Sequence, residues 1–359
     1  MIEARKIRVL VVDDSAIVRK ILSETLASET DIEVVGTAPD PIVALEKIKR
    51  LKPDVLTLDI EMPRMDGLTF LKQIMQTQPM PVILISSLAQ SSVEIAMEAL
   101  RHGAVDVLAK PSGPYSVGEL RTTLSSRIRA AARAKLRKNP VPEAPRLIVP
   151  EKPASSAIDP TRLIAIGAST GGTEAIFQVL SHLPADVPPT LITQHIPPMF
   201  SKSFAQRLDK LCAMEVREAV DGDLPRPGLA LVAPGGFHML LERAAGSYRI
   251  KIKDGPLVCY QRPSVDVLFT SVAMAAGSKA VGAMLTGMGN DGAQGMTRMK
   301  EKGCYNIAQD EATCVVFGMP REAIRAGAVD QTLPLDRIAQ ALMTACAKTP
   351  STSSPHPPV

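Results

Sequence analysis

The chain has 359 residues, enough for two domains of ordinary size rather than one. A composition of 45% hydrophobic and 22% charged residues suits globular folding and carries little signal of disorder. The net charge of +4 is too small to imply a nucleic-acid partner, and seven Phe, four Tyr and no Trp leave little surface for stacking bases.

Residues 8–126 alternate short apolar runs with helical patterns. The runs fall at 8–12, 33–38, 55–59, 82–86 and 106–110 and are rich in Val, Ile and Leu. Continuous apolar strands separated by helices predict a parallel sheet covered on both faces, here a small doubly wound α/β domain of five strands. Between 139 and 160 stand six prolines, and 127–152 carry eight Lys or Arg against two acids. Residues 127–160 therefore read as a basic, Pro-rich linker, solvated and partly stiff, and the rest of the chain is slightly acidic. A second α/β pattern fills 161–347. It has strands predicted at 162–167, 190–194, 280–286 and 305–309, and helices near 171–182, 199–211, 264–276, 292–302, 319–326 and 334–346. Two runs flanking Ala245-Gly246, 238–242 and 247–253, predict a β-hairpin. The tail 348–359, rich in Ser, Thr and Pro, is expected to be disordered.

Cys212, Cys259, Cys304, Cys314 and Cys346 include no C-x-x-C pair, which argues against a disulfide framework or zinc site and for a reducing cytoplasm. No signal peptide pattern precedes Asp13 and Asp14. The least polar long stretch, 268–285, is broken by Lys279, Gly and Ser, so no membrane insertion is expected.

Asp13 and Asp14 end the first predicted strand, Asp59 the third, Ser86 the fourth and Lys110 the fifth. Side chains at the C-terminal ends of a parallel sheet converge on one crevice. Carboxylates crowded there need a hard divalent cation such as Mg²⁺. A hydroxyl and an ammonium beside them complete a site for a tetrahedral oxyanion, and one carboxylate can accept a phosphoryl group. The set Val11-Val12-Asp13-Asp14-Ser15, Leu58-Asp59-Ile60-Glu61-Met62-Pro63, Ser86-Ser87 and Lys110-Pro111 resembles the response-regulator receiver domain over residues 5 to about 125. The resemblance implies that Asp59 is the phospho-acceptor. It also implies that Asp13, Asp14 and Asp59 hold Mg²⁺ with the Glu61 backbone carbonyl, that Ser86 and Lys110 sense the phosphate, and that the strand order is 2-1-3-4-5. Receivers often carry Tyr or Phe three residues before the lysine. Val107 stands there, so an aromatic rotamer switch is not implied.

In the second domain the apolar run at 163–166 leads into Gly167-Ala168-Ser169-Thr170-Gly171-Gly172 and then a helical pattern. This fits the G-x-S-x-G elbow that exposes a serine at a strand–helix turn. Taken alone it fits equally an anion or nucleotide cradle, or a packing turn. A serine nucleophile needs a base and the base needs an acid. His356 lies in the tail, His182 late in a helix and His102 in the first domain. That leaves His195, just after a predicted strand, with His238 as the second choice. Asp291 follows another predicted strand and reads singly as a helix cap. Three strand ends offering Ser169, His195 and Asp291 at one edge point to acyl-transfer chemistry.

These motifs, with Gln194-His195-Ile196-Pro197, Ala233-Pro234-Gly235-Gly236, Thr286-Gly287-Met288-Gly289-Asn290-Asp291-Gly292 and Phe317-Gly318-Met319-Pro320, resemble the catalytic domain of chemotaxis methylesterases over roughly 160–345. The resemblance implies a triad of Ser169, His195 and Asp291, with Thr170 and Met288 near the oxyanion or the entrance. It also implies hydrolysis of glutamate methyl esters on chemoreceptors without a cofactor, and deamidation of receptor glutamines. It implies phosphorylation by a chemotaxis histidine kinase and a monomer in the cytoplasm. Two other output classes compete. A DNA-binding regulator would need a basic recognition helix, which the acidic balance outside the linker opposes. A nucleotide-binding domain would use 167–172 as a cradle, but no G-K-[ST] follows. A catalytically silent interaction module is the third alternative.

Overall fold

The computed structural model describes residues 5–63, 65–110, 117–136, 158–159, 161–244 and 246–347, with only the backbone at 117–122. The Pro-rich part of the linker from 137 to 157 and the tail 348–359 lie outside the described residues. In the first half, β1 (Ile7–Val12), α1 (Ala16–Ala27), β2 (Ile32–Ala38), α2 (Pro41–Leu51), β3 (Val55–Asp59), α3 (Gly67–Thr77), β4 (Val82–Ser86), α4 (Gln90–Arg101), β5 (Asp106–Ala109) and α5 (Val117–Ala132) follow one another. The five strands pair in parallel in the order β2-β1-β3-β4-β5, the expected one. β3 and β4 are buried at every residue, which is why their sequences are unbroken apolar runs. Ser15, Asp40 and Asp66 start α1, α2 and α3 by accepting a hydrogen bond from the amide three residues on. The first two caps place their helix starts directly after the ends of β1 and β2, whereas α3 starts beyond a longer loop, 60–66.

The second half runs β6 (Leu163–Ala168), α6 (Gly172–Leu180), β7 (Thr190–Gln194), α7 (Phe200–Leu211), β8 (Glu215–Glu218), β9 (Leu229–Val232), β10 (His238–Ala244), β11 (Ser247–Lys253), α8 (Val265–Ala276), β12 (Ala280–Met284), α9 (Ala293–Glu301), β13 (Tyr305–Gln309), α10 (Met319–Arg325), β14 (Gln331–Leu333) and α11 (Leu335–Ala345). Seven strands form a parallel sheet in the order β14-β13-β12-β6-β7-β9-β8, and β10 and β11 form the expected antiparallel hairpin. Both halves are thus doubly wound α/β folds. β8, β9 and β14 were not predicted. Each has only three or four residues and two of them lie at the sheet edges, where a period of two cannot establish itself. β6 has β7 on one side and β12 on the other, so the chain reverses its direction of growth beside β6. The crevice of an open α/β sheet lies at such a point.

α5 continues to Ala132, so residues 127–132, read from sequence as the start of the linker, are its last turn and a half. A count of basic residues carries no information on helical phase, which here decides burial. Leu124, Ile128 and Ala131 are buried at helical spacing, and Arg127 shares their side of the helix. The two halves meet closely. One continuous cluster of buried apolar residues includes Leu56, Phe70 and Val107 from the first and Ile166, Ile176 and Phe204 from the second. α4 packs against α6 and α7. Among the described residues no helix is long and apolar enough to cross a membrane.

The turn after β6 is closed by a single carbonyl. Ser169 O accepts from the Gly172 amide at 2.7 Å and from Gln194 Nε2 at 2.8 Å. A Cβ on Gly172 would stand 2.1 Å from Gln194 Oε1 and 2.7 Å from Ala168 Cβ, so only glycine fits. Gly172→Ala is expected to destabilise the second half by about 1–3 kcal/mol, the usual cost of overpacking. A denaturant midpoint within error of wild type would show that the turn tolerates the methyl group.

Candidate active site

The crevice of the first sheet holds the predicted acidic cluster. Ligand oxygens of Asp13, Asp14 and Asp59 lie within 4.8 Å of one another. Lys110 Nζ donates to Asp59 Oδ2 at 2.7 Å and stands 3.6 Å from Asp13 Oδ2. Burial pushes the Asp59 carboxyl up to about 6; the hydrogen bond from Lys110 opposes this and the Asp13 charge adds to it. Burial likewise raises Asp13, against the attraction of Lys110. One ammonium therefore does not compensate the cluster. Asp13 Oδ2 is buried without a hydrogen-bond partner. Hard oxygen donors with an unsatisfied buried member fit a Mg²⁺ ion. The Glu61 amide donates to Asp59 Oδ1, and its carboxylate accepts from the Ser87 and Ser92 hydroxyls. Ser86 is not joined to Asp59. Its hydroxyl turns to the carbonyls of Ser87 and Ser92.

At the second sheet the ends of β6, β7 and β12 bring Ser169, His195 and Asp291 to one rim, all three nearly inaccessible to solvent. The His195 amide bonds Ala168 O at 3.1 Å, and the Ser169 amide bonds Thr286 O at 3.0 Å, so the three loops are stitched together by backbone. His195 Nε2 lies 2.7 Å from Asp291 Oδ2. Asp291 is held by three further donors: the Val265 amide to Oδ2, and the Ser264 hydroxyl and Asp266 amide to Oδ1. Two of these are the first amides of α8, so the carboxylate also meets the positive end of that helix. Burial works to raise the Asp291 pKa, but the hydrogen bond from His195 and the α8 amides outweigh it and hold the carboxyl below the usual range. A charged Asp291 fixes the proton of His195 on Nε2. His195 Nδ1 is then the acceptor nitrogen, and it is buried without a hydrogen-bond partner.

The Ser169 hydroxyl is not hydrogen-bonded to that nitrogen. Its Oγ accepts from Arg127 Nη1 at 2.8 Å, and Arg127 Nη2 reaches His195 O at 3.5 Å. Arg127 comes from α5 of the first half. It pairs with Asp106 of β5 at 2.8 Å, and Asp106 Oδ2 also accepts from the Thr170 hydroxyl at 2.7 Å. An ion pair from one half thus sits on the serine and the threonine of the other.

Thr170 faces the Arg127–Asp106 pair, and Met288 is half-buried in the loop after β12, with its backbone beside Gly318. His238 is spent structurally. Nε2 meets Pro256 O at 3.0 Å and Nδ1 accepts from the Ser264 amide at 3.2 Å. The sequence assigns no role to Arg127, Asp106 or Ser264, and Gln194 enters only as part of the Gln194-His195-Ile196-Pro197 motif. For Arg127 the signal was present, a cation at helical spacing among apolar residues. For Ser264 no local pattern relates it to Asp291, 27 positions on.

Comparison with known proteins agrees with this architecture. The family model for the response regulator receiver domain matches residues 9–122, and that for CheB methylesterase matches 164–342. A protein-glutamate methylesterase/protein-glutamine glutaminase 2 of Syntrophus aciditrophicus is 52% identical over 342 residues, covering 94% of this chain and 98% of its own. A protein-glutamate methylesterase/protein-glutamine glutaminase of Salmonella typhi is 52% identical over 340 residues, covering 94% of this chain and 96% of its own. The crystal structure of the Thermotoga maritima CheB methylesterase catalytic domain is 38% identical with a TM-score of 0.50, covering 51% of this chain and 97% of that one. With a receiver crevice in its first half, a buried Ser–His–Asp constellation in its second and relatives aligned along nine-tenths of its length, the chain belongs to the protein-glutamate methylesterase/protein-glutamine glutaminase family.

Proposed function

We propose that the chain is a phosphorylation-regulated hydrolase of chemotaxis adaptation. It removes methyl groups from glutamate esters of chemoreceptors and converts receptor glutamines to glutamate. The observation that carries this reading is the His195–Asp291 pair with an unpartnered Nδ1 at the rim where Ser169 stands. His195 Nδ1 takes the proton of Ser169 Oγ as that oxygen attacks the side-chain carbonyl. Asp291 stabilises the resulting imidazolium without accepting its proton. The imidazolium returns the proton to the leaving methoxide or amide, releasing methanol or ammonia. Water, activated by the same nitrogen, then frees the glutamate carboxylate from Ser169. Backbone groups near Thr170 and Met288 are assigned to the developing oxyanion.

The receiver regulates this chemistry by occupying it. With Arg127 on Ser169 Oγ, the hydroxyl is turned from its base and the cleft is filled. Phosphorylation of Asp59 by a chemotaxis histidine kinase changes what Lys110 must pair with, and Lys110 directly follows β5, the strand that carries Asp106. Asp13, Asp14, Asp59 and the Glu61 carbonyl would hold Mg²⁺, which supplies neutralisation of the incoming phosphoryl charge. The domain limits 1–126, 127–160 and 161–347 are adopted here with one change: α5 carries the receiver to 132.

Ser169→Ala and His195→Ala are each expected to lower methanol release from methylated receptor membranes by roughly 10⁴-fold while leaving phosphorylation of Asp59 intact. Retention of near wild-type turnover would show the nucleophile or base to be misassigned. Arg127→Ala is expected to raise the rate of the unphosphorylated protein roughly 5–150-fold, the range of an ordinary coupling free energy. An unchanged or lower rate would remove Arg127 from the inhibitory contact. Asp59→Asn is expected to abolish activation by acetyl phosphate with Mg²⁺; a normal response would refute regulation through that carboxylate.

A further inference from the structure

Beside His195 three loops converge: the one after β7, the one from β9 to β10, and the one from β11 to α8. The Gly236 amide donates to Arg262 O at 3.1 Å, and a Cβ on Gly235 would stand 2.6 Å from the Pro197 backbone. His238 ties the third loop to the second through Pro256 O and the Ser264 amide. On these loops Met199, Phe237, Leu257 and Tyr260 are 45%, 44%, 47% and 74% exposed, with the receiver in place. Two of them occupy backbone that resists them. Met199 has φ 70° and Tyr260 φ 62°, and with Cys259 at φ 50° they are three of the four non-glycine residues with positive φ among the described residues. Val258 and Gln261 pair across a two-residue turn whose central residues are Cys259 and Tyr260. Asn-Gly is the sequence such a turn accepts without strain. Here the Cys259 thiol turns inward to Asp266 at 3.8 Å while Tyr260 stands out in solvent. Bulky apolar side chains held in water, on backbone that glycine adopts more easily, mark a contact surface rather than a fold requirement.

We propose that Met199, Phe237, Leu257 and Tyr260 form the rim on which the substrate protein docks, seating apolar side chains that flank the scissile glutamate. The proposal rests on the esterase reading above. The rim is continuous with the site. The first loop begins at His195, and the third runs from Tyr260 to Ser264, whose hydroxyl bonds Asp291. Ser169 follows the end of β6, at the rim where the loops after β7 and β12 begin, so a chain whose ester meets the serine lies against those loops. The rim cation Arg262 is engaged by Asp254 and Gly255 O, so the rim offers its apolar and aromatic side chains beside one surface ion pair. The receiver fills the serine itself yet leaves these four side chains exposed, so a substrate can dock before the cleft opens.

The test compares Tyr260→Gly, Phe237→Ser and wild type on two esters, methylated receptor membranes and p-nitrophenyl acetate, each phosphorylated with acetyl phosphate. The readout is the ratio of kcat/KM on the receptor to kcat/KM on the small ester. This ratio is expected to fall at least tenfold in each variant, through KM, and Tyr260→Gly is expected to melt no lower than wild type because glycine suits φ 62°. Ratios within twofold of wild type, with wild type active on both esters, would overturn the rim alone. A wild type that hydrolyses neither ester would overturn the esterase reading and the rim with it. A loss shared equally by both esters would assign the residues to the fold of the cleft and overturn docking.

Discussion

The interaction that joins the two halves at the site is one buried ion pair, Arg127 with Asp106, seated on Ser169 and Thr170. Removing two charges from water is costly unless their remaining donors and acceptors are used. Here they are used across the domain boundary. The guanidinium serves Ser169 Oγ, Thr170 Oγ1 and His195 O, and the Asp106 carboxylate serves the Thr170 hydroxyl. Separating the domains would return the pair to water, so the cost of burying it is recovered on opening and offsets part of what the interdomain contacts contribute. An equilibrium of that kind can be moved by a modest change elsewhere.

The site beneath the pair is built by topology. β6 lies between β7 and β12 at the point where the sheet reverses its growth, so three consecutive strand ends in space belong to chain segments about 30 and 120 residues apart. Asp291 adds a second constraint. Its carboxylate takes the first amides of α8, while Asp266 of α8 accepts from the Gly295 amide in α9, immediately downstream of Asp291. Each segment thus caps the other's helix, and the orientation of the His195 ring follows from that reciprocal arrangement.

Much of this was legible in the sequence, for definite reasons. Buried parallel strands must be unbroken apolar runs, so β1, β3, β4, β6 and β7 stood out. The convergence of strand ends then brought Asp13, Asp59 and Lys110 together in one crevice and Ser169, His195 and Asp291 in another. What was not legible is equally physical. Asp291 read as a cap for its own helix, but its donors come from α8, which precedes it. Ser86 ends β4 as expected, yet its hydroxyl bonds the carbonyls of Ser87 and of Ser92 in the first turn of α4. Arg127 was counted as part of a solvated basic linker, because charge counting over a window does not see which face of a helix a side chain occupies. The strained turn at Cys259 and Tyr260 leaves no mark in the sequence at all, since no Asn or Gly announces it.

The central claim is that the receiver holds Ser169 away from its base until Asp59 is phosphorylated. The most direct measurement is the rate at which a serine-directed fluorophosphonate labels Ser169 in the full chain, with and without acetyl phosphate and Mg²⁺. The account predicts slow labelling of the resting protein, fast labelling after phosphorylation, and fast labelling of Arg127→Ala in both states. Equal rates for the resting and phosphorylated wild type would contradict it.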